Sequence, residues 1–276
     1  MSTQTVVITG SSRGLGLGMA QAFLARGHRV VISSRSATAV DAALKDLSAA
    51  APQRVAGRVC DVGRVAEVQS LWDFAIQQFS RVDIWVNNAG LINSRRNLAD
   101  LAPEDIDRVV QANVLGVMHG SRIALRGMLS QDAGPSGSGS RGQILNFEGF
   151  GSDGMKRPGL SVYGATKSAV RYFTRSLCKE YGDSGVLIGT INPGIVVTEL
   201  LLDESQRTSP EDWTRAKKRL RLLADRVEDV APALVAAVLA NQAQGARIQW
   251  LTPGKLLRRL ALAPFRSRDP FAGTSA

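Results

Sequence analysis

Tyr163 and Lys167 stand four residues apart in Ser161-Val162-Tyr163-Gly164-Ala165-Thr166-Lys167, at the start of a stretch, residues 163–181, that reads as a helix. Four residues is close to one helical turn, so phenol and ammonium share one face. That pairing suits the transfer of a single proton. A free phenol has a pKa of about 10 and is a sluggish acid at neutral pH; a neighbouring cation favours the phenolate and draws the value toward the working range. The same spacing also arises in helices that carry no chemistry, as a pair on the surface. The elements around it must decide.

The chain in order supplies those elements. Residues 5–9 form a short apolar, β-branched run suited to a strand buried on both faces. Thr9-Gly10-Ser11-Ser12-Arg13-Gly14-Leu15-Gly16 follows at once, then a helical pattern to Ala25. A glycine-rich turn between strand and helix lets backbone approach a pyrophosphate and presents a helix N-terminus to its charge; the alternative is a purely structural turn. A second strand, 29–33, ends in Ser33-Ser34-Arg35. An acid at this point binds the ribose 2′-hydroxyl of NAD, whereas an arginine suits the 2′-phosphate of NADP. The acid is absent, so Ser34 and Arg35, helped by Arg13, favour NADP(H); a surface arginine with no ligand is the other option.

The alternation continues with a strand at 54–60 closing on Asp61-Val62, a helix at 65–79, and a strand at 83–86 followed by Asn87-Asn88-Ala89-Gly90. A long helix at 103–129 contains Asn113, residues 134–140 are a glycine- and serine-rich surface loop, and a strand at 143–147 precedes the Tyr163 helix. Then come a strand at 186–191, the turn Asn192-Pro193-Gly194-Ile195-Val196-Val197-Thr198, a helix start at Ser209-Pro210-Glu211-Asp212, a helix at 227–239 and a strand at 246–251. Strands alternating with helices define an α/β fold: a doubly wound parallel sheet, or Rossmann fold, in three α/β/α layers. Residues 1–252 are expected to form one cofactor-binding and catalytic domain with a substrate lid inserted at 203–226, and residues 253–276 a basic amphipathic tail.

Composition narrows the classes. The 276 residues, 44% hydrophobic and 21% charged, suit a soluble domain with a large core. No window reaches the roughly 18 apolar residues of a membrane span. Met1-Ser2-Thr3-Gln4 runs straight into the first strand, leaving no room for a signal or transit peptide, so the expected address is cytoplasmic. Cys60 and Cys178 read as reduced thiols, and His28 and His119 with no ligand-spaced cluster predict no metal. The net charge of +10 is either a solvated surface or an attraction to anions such as cofactor phosphates or a membrane face. It concentrates in Arg215, Lys217, Lys218, Arg219 and Arg221, and in Lys255, Arg258, Arg259, Arg266 and Arg268. No recognition-helix, zinc-finger or RNA-binding signature accompanies it, so no nucleic-acid partner is expected.

With the glycine loop, Asn87-Asn88-Ala89-Gly90, Asn113, Tyr163/Lys167 and Pro193-Gly194 in this order, residues 5–251 resemble the short-chain dehydrogenase/reductases. The resemblance implies a nicotinamide-dependent oxidoreductase in which Tyr163 protonates the carbonyl oxygen, Lys167 holds the nicotinamide ribose, and Asn113 anchors a relay water. Asp61 and Val62 would flank adenine, Asn88, Ala89 and Gly90 would line the cleft, and Val196 and Thr198 would contact the carboxamide. Dimers or tetramers through the helices of Asn113 and Tyr163 are implied as well.

One stretch departs from the family. Where members carry a serine that binds the reacting oxygen, this chain has Gly149, within Asn146-Phe147-Glu148-Gly149-Phe150-Gly151-Ser152-Asp153-Gly154. That segment, with Ile84-Trp85-Val86-Asn87-Asn88, the run from Pro193 to Leu202 and Trp250-Leu251-Thr252-Pro253-Gly254-Lys255, resembles the chlorophyll(ide) b reductase branch. The branch implies NADPH-dependent reduction of a formyl group on a large hydrophobic substrate. A different carbonyl or hydroxyl substrate, or a cofactor-binding protein with weakened catalysis, are the alternatives. Ser152 is the nearest hydroxyl able to replace the serine, unless it merely satisfies a turn. In the tail, Leu256, Leu257, Leu260 and Ala261 gather opposite Lys255, Arg258 and Arg259, as in a helix lying on a membrane or packed on protein.

Overall fold

The computed structural model describes residues 2–134, 139–199, 201–202, 210–262 and 269–272. Its strands are β1 (Thr5–Ile8), β2 (Arg29–Ser34), β3 (Val55–Val59), β4 (Ile84–Asn87), β5 (Gly142–Phe147), β6 (Val186–Asn192), β7 (Ile195–Val197), β8 (Ala224–Arg226) and β9 (Arg247–Gln249). Seven of them form one sheet in the order β3-β2-β1-β4-β5-β6-β9, every neighbouring pair parallel. The helices are α1 (Gly14–Ala25), α2 (Ala37–Ala50), α3 (Val65–Phe79), α4 (Pro103–Val110), α5 (Gly116–Leu129), α6 (Ser161–Glu180), α7 (Pro210–Leu223), α8 (Val227–Ala240) and α9 (Pro253–Leu262).

Continuous apolar strands arise because the sheet is covered on both faces. Alternate residues go to opposite cores: Val6 and Ile8 of β1 pack with Met19, Phe23 and Leu234 of α1 and α8, while Val7 joins Leu71, Trp72 and Met128 of α3 and α5. The strand order reverses between β1 and β4, and the crevice outside the carboxyl ends at such a reversal is where this architecture places its ligands.

Three features depart from the pattern read in the sequence. The expected helix at 103–129 is continuous in direction but contains a π-helical turn, Gln111–Leu115, that separates α4 from α5. The segments at 195–197 and 224–226, read as loop and lid, pair as a separate two-stranded parallel sheet. The final strand is shorter than expected, ending at Gln249, and the Trp250 side chain donates through Nε1 to Asp225 at 2.6 Å. The lid's residues 203–209, residues 135–138 of the glycine- and serine-rich loop, and Arg266 and Arg268 lie outside the described residues.

The tail helix α9 forms, and it docks through part of its basic side. Arg259 Nη2 donates to both Asp225 oxygens at 2.8 and 2.7 Å, and Asp225 is 1% exposed, whereas Leu257 and Leu260 are 68% and 50% exposed. A buried acid in β8 therefore outcompetes the apolar face for the protein surface. No helix among the described residues is long and apolar enough to cross a membrane. Replacing Arg259 leaves a buried carboxylate without its guanidinium, a loss of about 3–5 kcal/mol. Chemical denaturation of Arg259→Met should show that loss, and Arg258→Met, on the exposed side, should stay within about 0.5 kcal/mol of wild type.

Candidate active site

Helix α6 carries Tyr163 and Lys167 on one face, as their spacing requires, with the Lys167 Nζ 5.8 Å from the centre of the Tyr163 ring. The lysine is 5% exposed and its ammonium donates to the Phe147 carbonyl at 3.2 Å. Burial draws its pKa down from 10.5 to about 8, against the opposing attraction of Glu148. The cation is thus held beside the phenol with little water to screen it.

Asn113 sits in the π turn and is fully buried. Such turns insert one residue into a helix and free local backbone groups, which is why they gather at functional positions. Its amide exchanges hydrogen bonds with the Leu91 backbone at 2.8 and 2.9 Å and donates to Thr166 Oγ1 at 3.0 Å, between the two reactive positions of α6. A Cβ placed on Gly90 would lie 3.2 Å from Asn113 Oδ1 and 3.6 Å from Lys167 Nζ, so Gly90, Asn113 and Lys167 converge.

The glycine loop lies at the strand-order reversal. Gly10 has φ +62°, and a Cβ there would fall 2.7 Å from Ala89 Cα; one on Gly16 would fall 2.5 Å from Asn88 Nδ2. Only bare backbone fits this contact. Asn88 holds it by donating to the Thr9 and Gly10 carbonyls at 2.8 and 2.9 Å, and Thr9 Oγ1 accepts from the Asn88 and Ala89 amides. Helix α1 starts directly after Ser12 and Arg13 with no side chain capping its first amides, and buried Leu15 anchors it. Those free N–H groups and the helix dipole suit a phosphate.

The neighbouring strand ends complete the crevice. Ser34 and exposed Arg35 end β2, and neither Arg13 nor Arg35 forms an ion pair with a described residue. Asp61 accepts from the Gly63 amide at 3.0 Å, and buried Val62 packs where a Cβ on Gly116 would come within 2.6 Å of it. Past β6, Pro193 leads into Gly194, whose amide donates to Asn192 Oδ1 at 3.1 Å, and Val196 is buried in β7. Thr198 reaches back to the glycine loop, its Cβ 3.5 Å from a Cβ built on Gly14. The chain therefore brings every cofactor-binding candidate to one edge of the sheet, and the bare glycine loop with uncapped amides fits a dinucleotide's phosphates.

The loop after β5 is where reasoning from sequence fell short. A Cβ on Gly149 would lie 2.5 Å from the Tyr163 hydroxyl and 3.2 Å from Lys167 Cε, so the phenol packs against bare backbone at position 149 and occupies the place a side chain there would take. Ser152, expected to supply the replacement hydroxyl, donates instead to Glu148 Oε2 at 3.1 Å, and its carbonyl accepts from Arg171 at 3.0 Å. Its one hydroxyl proton is committed to the carboxylate. Glu148 is 3% exposed and receives Arg247 through Nε and Nη2 at 2.9 and 2.6 Å, with Asn192 at 3.3 Å. Burial pushes its pKa up, but hydrogen bonds from Arg247, Thr190 and Ser152 and the charge of Arg247 outweigh burial and leave it below the ordinary value.

Two further groups escaped notice in the sequence. Arg247 is 99 residues from its partner, so no local pattern announces it. Asn87, Asn146, Ser121 and Thr174 form a buried network beneath the site, with Asn87 Nδ2 donating to Asn146 Oδ1 at 2.8 Å and Asn146 Nδ2 to Thr174 Oγ1 at 2.9 Å. The signal was present: an asparagine closes β4 and another stands one residue before the end of β5.

Residues 4–209 match the family described as short chain dehydrogenase. The chain belongs to that family, which is built on a fold that binds NAD(P)H. Its similarity extends to the chlorophyll(ide) b reductase branch. It is 34% identical over 270 residues to "Probable chlorophyll(ide) b reductase NYC1, chloroplastic" of Arabidopsis thaliana, covering 92% of this chain and 52% of the relative. With "Chlorophyll(ide) b reductase NOL, chloroplastic" of the same plant it shares 36% identity over 275 residues, covering 95% of this chain and 75% of the relative. The chain thus spans about half the length of the first of these. Among solved structures, levodione reductase superposes with a TM-score of 0.80 at 25% identity, covering 93% of this chain and 99% of that one. The NADH complex of 3-ketoacyl-(acyl-carrier-protein) reductase from Brucella melitensis gives 0.75 at 26%, covering 92% and 98%.

The buried lysine has a measurable consequence. Its folded pKa, about 8, lies below its ordinary 10.5, so between these values the unfolded chain binds more protons and stability rises with pH. The stability of the wild type relative to Lys167→Met should therefore increase from pH 8 to 10.5, by up to about 3 kcal/mol. Denaturant titrations of both proteins across that range check it; a constant difference would mean the ammonium is solvated.

Proposed function

We propose that the chain is an NADPH-dependent carbonyl reductase of the chlorophyll(ide) b reductase type, taking a formyl group on a large hydrophobic substrate to a hydroxymethyl group. The observation that carries this is the Tyr163 hydroxyl seated against the bare backbone of Gly149, beside a buried ammonium. Bound in the crevice, the nicotinamide supplies hydride. Tyr163 gives its proton to the carbonyl oxygen, and Lys167 favours the phenolate that remains. Asn113 ties α6 to the loop after β4, and in the proposal its turn anchors the water that returns a proton. Ser152 acts through Glu148, as a positioning residue for the loop that Gly149 belongs to.

NADP(H) is preferred in this proposal because Ser34, Arg35 and Arg13 replace an acid at the end of β2, and both arginines are free to meet a phosphate. Homodimers or homotetramers through α5 and α6 are supported by exposed Leu129 and Tyr172, and contact with a membrane face through α9 by outward Leu257 and Leu260.

NADPH and NADH oxidation against a panel of aldehydes that includes chlorophyllide b tests the proposal. Turnover is expected with chlorophyllide b and NADPH. Arg35→Ala should weaken NADPH at least about tenfold more than NADH, since only the former offers a phosphate to the guanidinium. Turnover confined to small aldehydes would overturn the substrate, and equal losses for both cofactors would overturn the role of Arg35.

A further inference from the structure

Asn93 lies in the loop after β4, three residues beyond Gly90, and is 3% exposed. Its side-chain amide is wedged into the start of α6. Oδ1 accepts from the Tyr163 amide at 3.2 Å, and Nδ2 donates to the Gly159 carbonyl at 3.1 Å and to the Ser94 carbonyl at 2.8 Å. One N–H and two carbonyls as partners fix which end of the amide is which. Gly159 and Tyr163 are four residues apart, the spacing of a helical N–H and the carbonyl it would meet. The Asn93 amide stands between them and bonds to both, as a peptide inserted into the ladder would. Local sequence offers no substitute: Leu160, at the cap, has no side-chain acceptor, and the first turn holds no acid. The first amides of a helix have no carbonyl to meet within it, and the side chain that takes one ordinarily comes from the cap residue. Here it comes from 70 residues away.

What the bridge holds is the proton donor. The Tyr163 carbonyl accepts from Thr166 Oγ1 at 2.7 Å, and Thr166 Oγ1 accepts in turn from Asn113. Asn113 also grips the backbone of Leu91, two residues before Asn93 on the same loop. The amide and the carbonyl of Tyr163 are therefore both tied to that loop, the first directly and the second through Thr166 and Asn113. Val162 adds an apolar contact, in a cluster with Leu91 and Val109. The loop begins at Asn88 to Gly90, beside the glycine turn. Lys167, one turn further into α6, has its amide inside the helical ladder and does not depend on the bridge.

Resting on Tyr163 as the proton donor, we propose that Asn93 is a positioning residue for it: the amide completes the first turn of α6 from outside and fixes the phenol relative to the loop after β4. Loss of Asn93 frees that turn, and the phenol with it, while Lys167 and the glycine turn stay in place. The proton step then slows and cofactor binding is kept.

Three variants separate positioning from general stability. Asn93→Ala deletes the bridge. Asn93→Asp keeps an acceptor for the Tyr163 amide, where the helix N-terminus favours its charge, and gives up both donations. Ser94→Ala removes the bond from the Ser94 hydroxyl to Asp105 on the same loop and leaves Tyr163 untouched. With NADPH and chlorophyllide b, the single-turnover rate should fall at least about tenfold in Asn93→Ala, stay within about threefold of wild type in Asn93→Asp and within about twofold in Ser94→Ala. NADPH affinity and KM should change by less than about threefold in all three. Hydrogen exchange at the Tyr163 amide, followed by NMR, should accelerate at least about tenfold in Asn93→Ala alone. A near-normal rate in Asn93→Ala, unchanged exchange at that amide, or rates that follow melting temperature rather than the presence of the acceptor would overturn the proposal. If Asn93→Ala does not fold, Asn93→Asp decides: its melting temperature should fall with its rate kept, and a loss of about tenfold there would overturn the proposal. Exchange needs no substrate, so a wild type that leaves chlorophyllide b unreduced would overturn the reductase reading while exchange still decides the bridge.

Discussion

A lysine ammonium with almost no contact with water is the constraint on which the site depends. Burial lowers the pKa of Lys167, and the cation persists near neutral pH because its surroundings are arranged around it. The Phe147 carbonyl accepts a hydrogen bond from it, and Glu148, the next residue, supplies the opposing charge. Glu148 is buried in turn and is stable there only because Arg247 of β9 clamps it, with Ser152 and Asn192 filling its remaining acceptor positions. The reactive pair on α6 is thus tied electrostatically to the far edge of the sheet. Removing Arg247 would disturb the site without touching substrate or cofactor.

The same arrangement explains how the chain manages without a serine at position 149. Ser168 Oγ donates to the Gly151 carbonyl at 2.6 Å and Arg171 to the Ser152 carbonyl, so the loop after β5 is fastened to α6 at two points. A loop held in this way can present backbone to the Tyr163 hydroxyl and still keep its place. Glycine at 149 separates this site from one in which a side chain stands against the phenol.

Much of this was legible in the sequence. Continuous apolar strands, the glycine turn between β1 and α1, and the Tyr163/Lys167 spacing all arise from local rules of periodicity and steric access, and the sheet and the crevice at its reversal follow from them. The π turn at Asn113 was not legible, because five residues of ordinary helix formers carry no mark of one extra residue. Nor were the roles of Glu148 and Ser152, which depend on an arginine 99 positions away. In the tail, Pro253–Leu262 forms the helix α9. Which side would dock was decided by Asp225, a buried acid whose depth no periodicity reveals. Non-local charge pairs decide the last two of these cases.

The central claim is that Tyr163 delivers the proton under the influence of Lys167. Tyr163→Phe keeps the ring and its packing and deletes only the hydroxyl. Single-turnover NADPH oxidation with chlorophyllide b, measured beside NADPH binding, should show cofactor affinity preserved and the rate lowered by about 10² to 10⁴. A rate within a few-fold of wild type would contradict the account.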